Sequence, residues 1–97
     1  MTDLKGRVAI VTGGGHGIGR HYALGLARAG AKVAIAELDA AAAEKVALEI
    51  ADEGGQALAV PTDVADQKSV QSMVDRTLEV YGKVDVLVNN AAIFATV

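Results

Sequence analysis

The sequence predicts an α/β fold: a parallel β-sheet covered by helices on both faces. Three observations carry that expectation. Apolar, strand-like runs alternate with stretches whose apolar residues recur every three or four positions, in the order βαβαβαβ. The first strand leads directly into a glycine-rich octapeptide, Thr12-Gly13-Gly14-Gly15-His16-Gly17-Ile18-Gly19. No linker, repeat or low-complexity stretch interrupts the alternation.

The elements follow in order. Val8-Ala9-Ile10-Val11 is a continuous apolar run, the mark of a strand buried on both faces. Residues 18–29 then place Ile18, Tyr22, Ala23, Leu26 and Ala27 on one helical face, and Gly30 stops the helix. Residues 32–37, Lys-Val-Ala-Ile-Ala-Glu, form the second strand. Asp39 is an N-cap for a second helix whose buried stripe is Ala43, Val46, Ala47 and Ile50. Gly54-Gly55 ends it. Residues 57–60 are a short third strand closed by Pro61. Asp66 caps a third helix with Val70, Met73, Val74, Thr77, Leu78 and Tyr81 on one face, and Gly82 stops that helix. Residues 84–88 are a fourth strand leading into Asn89-Asn90-Ala91-Ala92.

Composition narrows the function classes. The 97 residues make one small domain, 52% hydrophobic and 22% charged, which suits a globular core. The net charge of −3 and pI near 5.2 argue against nucleic acid or an anionic membrane as partner. With no cysteine there is no disulfide framework, thiolate metal site or cysteine nucleophile. His16 and His21 do not make a metal site unaided. No apolar run approaches the ~18 residues of a membrane span, and the N-terminus has no signal-peptide core. A soluble, cytoplasmic protein is the expectation.

The octapeptide has the chemistry of a phosphate cradle. Gly13, Gly17 and Gly19 remove Cβ atoms that would hold a pyrophosphate off the backbone. The helix opening near Ile18 turns its unpaired N–H groups and positive dipole end toward that anion. The spacing departs from a strict G-x-G-x-x-G. Its place between the first strand and the first helix nevertheless supports a Rossmann-type parallel sheet that binds a dinucleotide.

Glu37 ends the second strand 18 residues after Gly19. An acid about 20 residues on accepts hydrogen bonds from the adenosine ribose hydroxyls. Such a charge-assisted bond contributes ~1.5–3 kcal/mol. A 2′-phosphate ~4 Å away would instead be repelled by ~4 kcal/mol at an effective dielectric near 20. The loop offers no Arg or Lys to offset this, with His16 the only candidate cation. NAD is therefore expected over NADP. Asp63-Val64 follows the third strand, where Asp63 can accept from the adenine amino group and Val64 can cover the ring, or Asp63 can simply shape the turn. Asn89-Asn90 are adjacent amides at the end of a buried strand, either structural or ribose-binding. Tyr22 is expected in the core and His21 on the surface, so neither is assigned acid–base chemistry. Asp85 is read as an ion-pair partner or a strand-end turn residue.

Together these motifs identify a resemblance. From Leu4 to Phe94 the chain resembles the N-terminal half of the short-chain dehydrogenase/reductases, through Thr12-Gly13-x-x-x-Gly17-Ile18-Gly19, Glu37, Asp63-Val64 and Asn89-Asn90-Ala91-Ala92. The family more often has Gly where Ala92 stands. The resemblance implies NAD(P)-dependent interconversion of alcohols and ketones. It implies that Ile18 lies against the cofactor, that Asp63 and Val64 hold the adenine, and that Asn90 meets the nicotinamide-side ribose. Asn89 is then structural, and Thr12 supports the loop and the fourth strand. It also implies a strand order of 3-2-1-4, homo-oligomers, and members of roughly 250 residues in one domain. Their catalytic Ser and Tyr-x-x-x-Lys lie beyond the position where Val97 stands.

On this reading residues 1–97 are the cofactor-binding part of a dinucleotide domain, without catalytic residues and inactive alone. An isolated chain of this length would expose an apolar fourth-strand edge and associate. The competing expectation is a non-catalytic NAD-binding module or one part of a split protein. A P-loop protein is disfavoured because G-x-x-x-x-G-K-[ST] is absent.

Overall fold

The computed structural model describes residues 3–90. The strands are β1 (Val8–Thr12), β2 (Lys32–Glu37), β3 (Ala57–Pro61) and β4 (Val86–Asn89), and the helices α1 (Gly17–Arg28), α2 (Ala40–Asp52) and α3 (Gln67–Tyr81). The four strands form one parallel sheet in the order β3-β2-β1-β4. The register aligns their C-terminal ends: Thr12 stands opposite both Ala36 and Asn89, and Glu37 opposite Pro61. That shared edge is where open α/β sheets bind ligands.

The central strands β1 and β2 are buried on both faces, as their unbroken apolar runs require. Ala9, Val11, Val33 and Ile35 pack with Ala23 and Leu24 of α1 and with Ala43, Val46 and Ile50 of α2. Ile10, Ala34, Ala36 and Val60 pack instead with Met73 of α3. Bidentate pairs between Arg20 and Glu49 and between Arg28 and Glu53 tie α1 to α2 at the surface. The α3 side is thinner. An apolar trough of about 530 Å³ runs between Ile10, Met73, Val84 and Leu87, reaching Val64, Thr12 and Asn89. Leu87 is 62% exposed.

Three expectations about packing change. The buried positions of α1 are Gly19, Ala23 and Leu24, while Ile18 and Tyr22 are 64% and 48% exposed. Small residues let the helix lie close to the sheet, so the apolar side chains beside them turn outward. Tyr22 is thus a surface residue, as is His21. On α3 only Met73 and Thr77 are fully buried, and Leu78 faces solvent. The fourth strand begins at Val86 rather than Val84. The cause is Asp85, whose carboxylate accepts the Val8 N–H at 2.8 Å while its own N–H donates to the Val8 carbonyl at 2.8 Å. Lys83 at 3.1 Å and Arg7 at 3.5 Å flank that carboxylate. The Val8 N–H first, and then Lys83, hold it below the usual carboxylate range.

Candidate functional site

The glycine loop leaves β1 at Thr12 and enters α1 at Gly17. Its first bond anchors it to the neighbouring strand: the Gly13 N–H donates to the Ala36 carbonyl at 2.7 Å. Gly13 and Gly17 have φ of +66° and +48°, the left-handed region where a side chain is strained. A Cβ at Gly17 would meet nothing within 4 Å, so space lies open over this turn.

Gly19 is required by space within the loop itself. A Cβ there would stand 2.0 Å from the Gly13 carbonyl oxygen and 2.6 Å from Asn90 Nδ2. The missing side chain lets the loop close onto the helix. Gly14 and Gly15, which motif spacing did not single out, are also required by space. Their Cβ atoms would stand 2.9 Å from Ile35 Cγ2 and 2.7 Å from Glu37 Cγ.

The N-terminus of α1 is unclosed. His16 occupies the N-cap with extended φ and ψ of −139° and 152°, and its side chain makes no capping bond. The Asp39 carboxylate, in contrast, accepts the Ala42 N–H at 3.1 Å at the start of α2, and Asp66 accepts the Lys68 N–H at 3.0 Å at the start of α3. The first N–H groups of a helix carry partial positive charge and need acceptors. At α1 they lie beside the open turn at Gly17, and a pyrophosphate fits that donor set.

Glu37 is 9% exposed at the end of β2. Oε1 accepts the Gly15 N–H at 3.1 Å and Oε2 accepts the Asp39 N–H at 3.0 Å. The carboxylate therefore pins the loop to the β2–α2 turn. Each oxygen keeps further acceptor capacity for a hydroxyl. His16 Nε2 lies 3.3 Å from Asp39 Oδ2, a second link between the same two segments. The Ala42 N–H, opposed by burial and helped by His16, holds the Asp39 carboxyl below its ordinary range.

The remaining candidates line the same sheet edge. Thr12 Oγ1 accepts the Asn90 N–H at 2.9 Å and lies 3.1 Å from Asn89 Oδ1, tying β1 to the chain after β4. This brings the half-buried Asn90 against Gly19, beside the start of α1. Ile18 stands exposed on the first turn of α1. Asp63 is exposed, and its Oδ1 accepts the Ala65 N–H at 3.0 Å, so it does shape the turn after β3. Val64 is half-buried and lines the trough with Thr12 and Asn89. Thr12, Gly13, Gly17, Ile18, Gly19, Glu37 and Asn90 thus surround the glycine loop, whereas Asp63 and Val64 follow β3 farther along the edge. Ala91, Ala92 and Phe94 lie outside the described residues. Among the described residues no cluster of His, Asp or Glu has metal-binding form, and no helix is long and apolar enough to cross a membrane.

The arrangement matches known proteins. The family model described as short chain dehydrogenase matches residues 7–97. The chain belongs to the short chain dehydrogenase family. It is 50% identical over 92 residues to an uncharacterized oxidoreductase of Thermotoga maritima, covering 95% of this chain and 36% of that protein. A hydroxysteroid dehydrogenase from Escherichia coli superposes with a TM-score of 0.90 at 43% identity, covering 92% of this chain and 38% of that one. A 3-ketoacyl-(acyl-carrier-protein) reductase from Brucella melitensis, solved with NADH, gives 0.86 at 48% identity, covering 93% and 36%. This short chain dehydrogenase sequence spans little more than a third of the length of those relatives.

The ion-pair reading of Asp85 holds, but sequence reasoning missed the Gly15–Glu37 contact and the bond from Val8 to Asp85. The run of consecutive glycines was the available signal for the first. The second joins residues 77 positions apart and left no local trace.

Proposed function

We propose that this chain is the dinucleotide-holding part of an oxidoreductase that interconverts alcohols and ketones, and that it prefers NAD to NADP. The observation that carries the reading is the fixed Glu37 carboxylate beside an unclosed helix start. The N–H groups of Gly17, Ile18 and Gly19 suit the pyrophosphate, Glu37 the adenosine ribose, Asp63 and Val64 the adenine, and Asn90 the second ribose. Bound nicotinamide supplies or accepts a hydride at the substrate carbon. The preference follows from occupancy of donors. Glu37 already takes the Gly15 and Asp39 N–H groups, and His16 is paired with Asp39. A 2′-phosphate would meet a carboxylate where it needs donors, at a cost of about 4 kcal/mol for unit charges 4 Å apart at an effective dielectric near 20. NADH in the Brucella melitensis structure is consistent with this reading.

The 97 residues contain no Tyr-x-x-x-Lys, and alone they are inactive on this account. The test is fluorescence titration of the protein as its gene encodes it with NADH and NADPH, followed by turnover on a panel of small secondary alcohols and ketones. Tighter NADH binding with turnover is expected. Equal affinities contradict the cofactor preference. NADH binding without turnover on any substrate contradicts the enzyme reading and leaves a non-catalytic module.

A further inference from the structure

We infer that Gly15 sets cofactor preference by holding Glu37 in place, an inference that rests on the proposed dinucleotide site. Gly15 is not among the glycines with positive φ, so its backbone would accept an L side chain. Space is what forbids one. A Cβ would stand 2.7 Å from Glu37 Cγ, 3.1 Å from Glu37 Oε1 and 2.9 Å from Ala42 Cβ. Two of these three contacts are with Glu37 itself. The same residue donates its N–H to Glu37 Oε1 at 3.1 Å, while the Asp39 N–H holds Oε2 at 3.0 Å. The carboxylate is thus gripped from both sides and lies flat on the loop, 9% exposed.

Two consequences follow for a bound adenosine. A gripped carboxylate does not swing away from an incoming 2′-phosphate, so its charge stays where it repels most. The Gly15 N–H, a natural donor to a phosphate oxygen, is already used. Any side chain at position 15 reverses both effects. It lifts Glu37 off the loop, weakens the hold on the ribose hydroxyls and frees a donor for phosphate. Gly15 is a positioning residue that acts through Glu37, with no direct part in the chemistry.

The test compares NAD and NADP dissociation constants by calorimetry for the wild-type protein and for Gly15→Ala. Because the Ala42 contact would also shift α2, the substitution is repeated in an Ala42→Gly background, which leaves Glu37 as the crowded partner. Gly15→Ala is expected to narrow the NAD over NADP ratio at least about tenfold, the smallest change expected for one hydrogen bond to a charged group. In a Glu37→Ala background, where the crowded Cγ and the carboxylate are both gone, Gly15→Ala is expected to leave the ratio unchanged. A role confined to loop stability would weaken both ligands equally and leave the ratio unchanged, which would overturn the inference. A further change of the ratio by Gly15→Ala in the Glu37→Ala background would overturn it as well. Wild-type protein that binds neither dinucleotide would overturn the cofactor reading beneath it instead.

Discussion

At the start of α2 the Asp39 side chain closes the helix, and at the start of α3 Asp66 does the same; at the start of α1 no side chain does. All three helices follow a strand and share the same sheet edge, so local topology does not explain the difference. A capping side chain contributes about 1 kcal/mol, which this chain takes at two helices and forgoes at the third. The helix left unclosed is the one approached by a loop of glycines with open space over Gly17. Where the chain supplies its own acceptor, the helix start is structural. Where it supplies none, the N–H groups remain for an anion from outside.

Gly19→Ala breaks the contrast most severely. The new methyl would stand 2.0 Å from the Gly13 carbonyl, so the loop cannot keep its path. Expected results are a stability loss of about 1–3 kcal/mol or more by denaturant titration and NAD binding weakened at least about a hundredfold. Gly25→Ala in the same helix, with nothing within 4 Å of the added methyl, should instead stabilise by about 0.5–1 kcal/mol and leave binding intact.

His16→Asp makes α1 resemble its neighbours. The extended backbone at this position suits a cap. In the ligand-free protein the new cap contributes about 1 kcal/mol but is offset by loss of the His16–Asp39 contact, so stability changes little, while NAD binding falls about tenfold because a carboxylate now competes for the same donors. Calorimetry together with thermal melting checks both halves. Asp66→Ala sharpens the comparison from the other side. It should cost about 1 kcal/mol, a Tm lowered by about 4–8 °C, with NAD affinity unchanged. The smallest effect is that of acid. Because the folded-state pKa of Asp39 is lowered, its stabilising contribution is present at neutral pH and is lost as pH falls through that lowered value. Melting curves should therefore lose stability below about pH 4, and Asp39→Asn should flatten that loss.

Periodicity and punctuation were enough to read every element and its order, because strands buried on both faces and amphipathic helices leave patterns two to four residues long. Glycine context was enough to place the loop between β1 and α1 at the C-terminal edge of the sheet. Illegible features were those set by contacts between distant residues. Which side of α1 packs depended on Gly19 and Ala23 lying close to the sheet, so the bulkier Ile18 and Tyr22 were misplaced inward. Where β4 begins depended on Asp85 binding Val8 across the sheet. Glu37 was legible as an acid at the right distance, but its grip on the loop was not, since Gly15 lies 22 residues earlier.

The unclosed start of α1 as the dinucleotide's anion site is tested most directly by amide chemical shifts during titration of NAD into ¹⁵N-labelled protein. The account predicts the largest shifts at the amides of Gly17, Ile18 and Gly19, with the Lys68 amide, held by Asp66 at the start of α3, unmoved. No response at residues 17–19, or an equal response at Lys68, would contradict it.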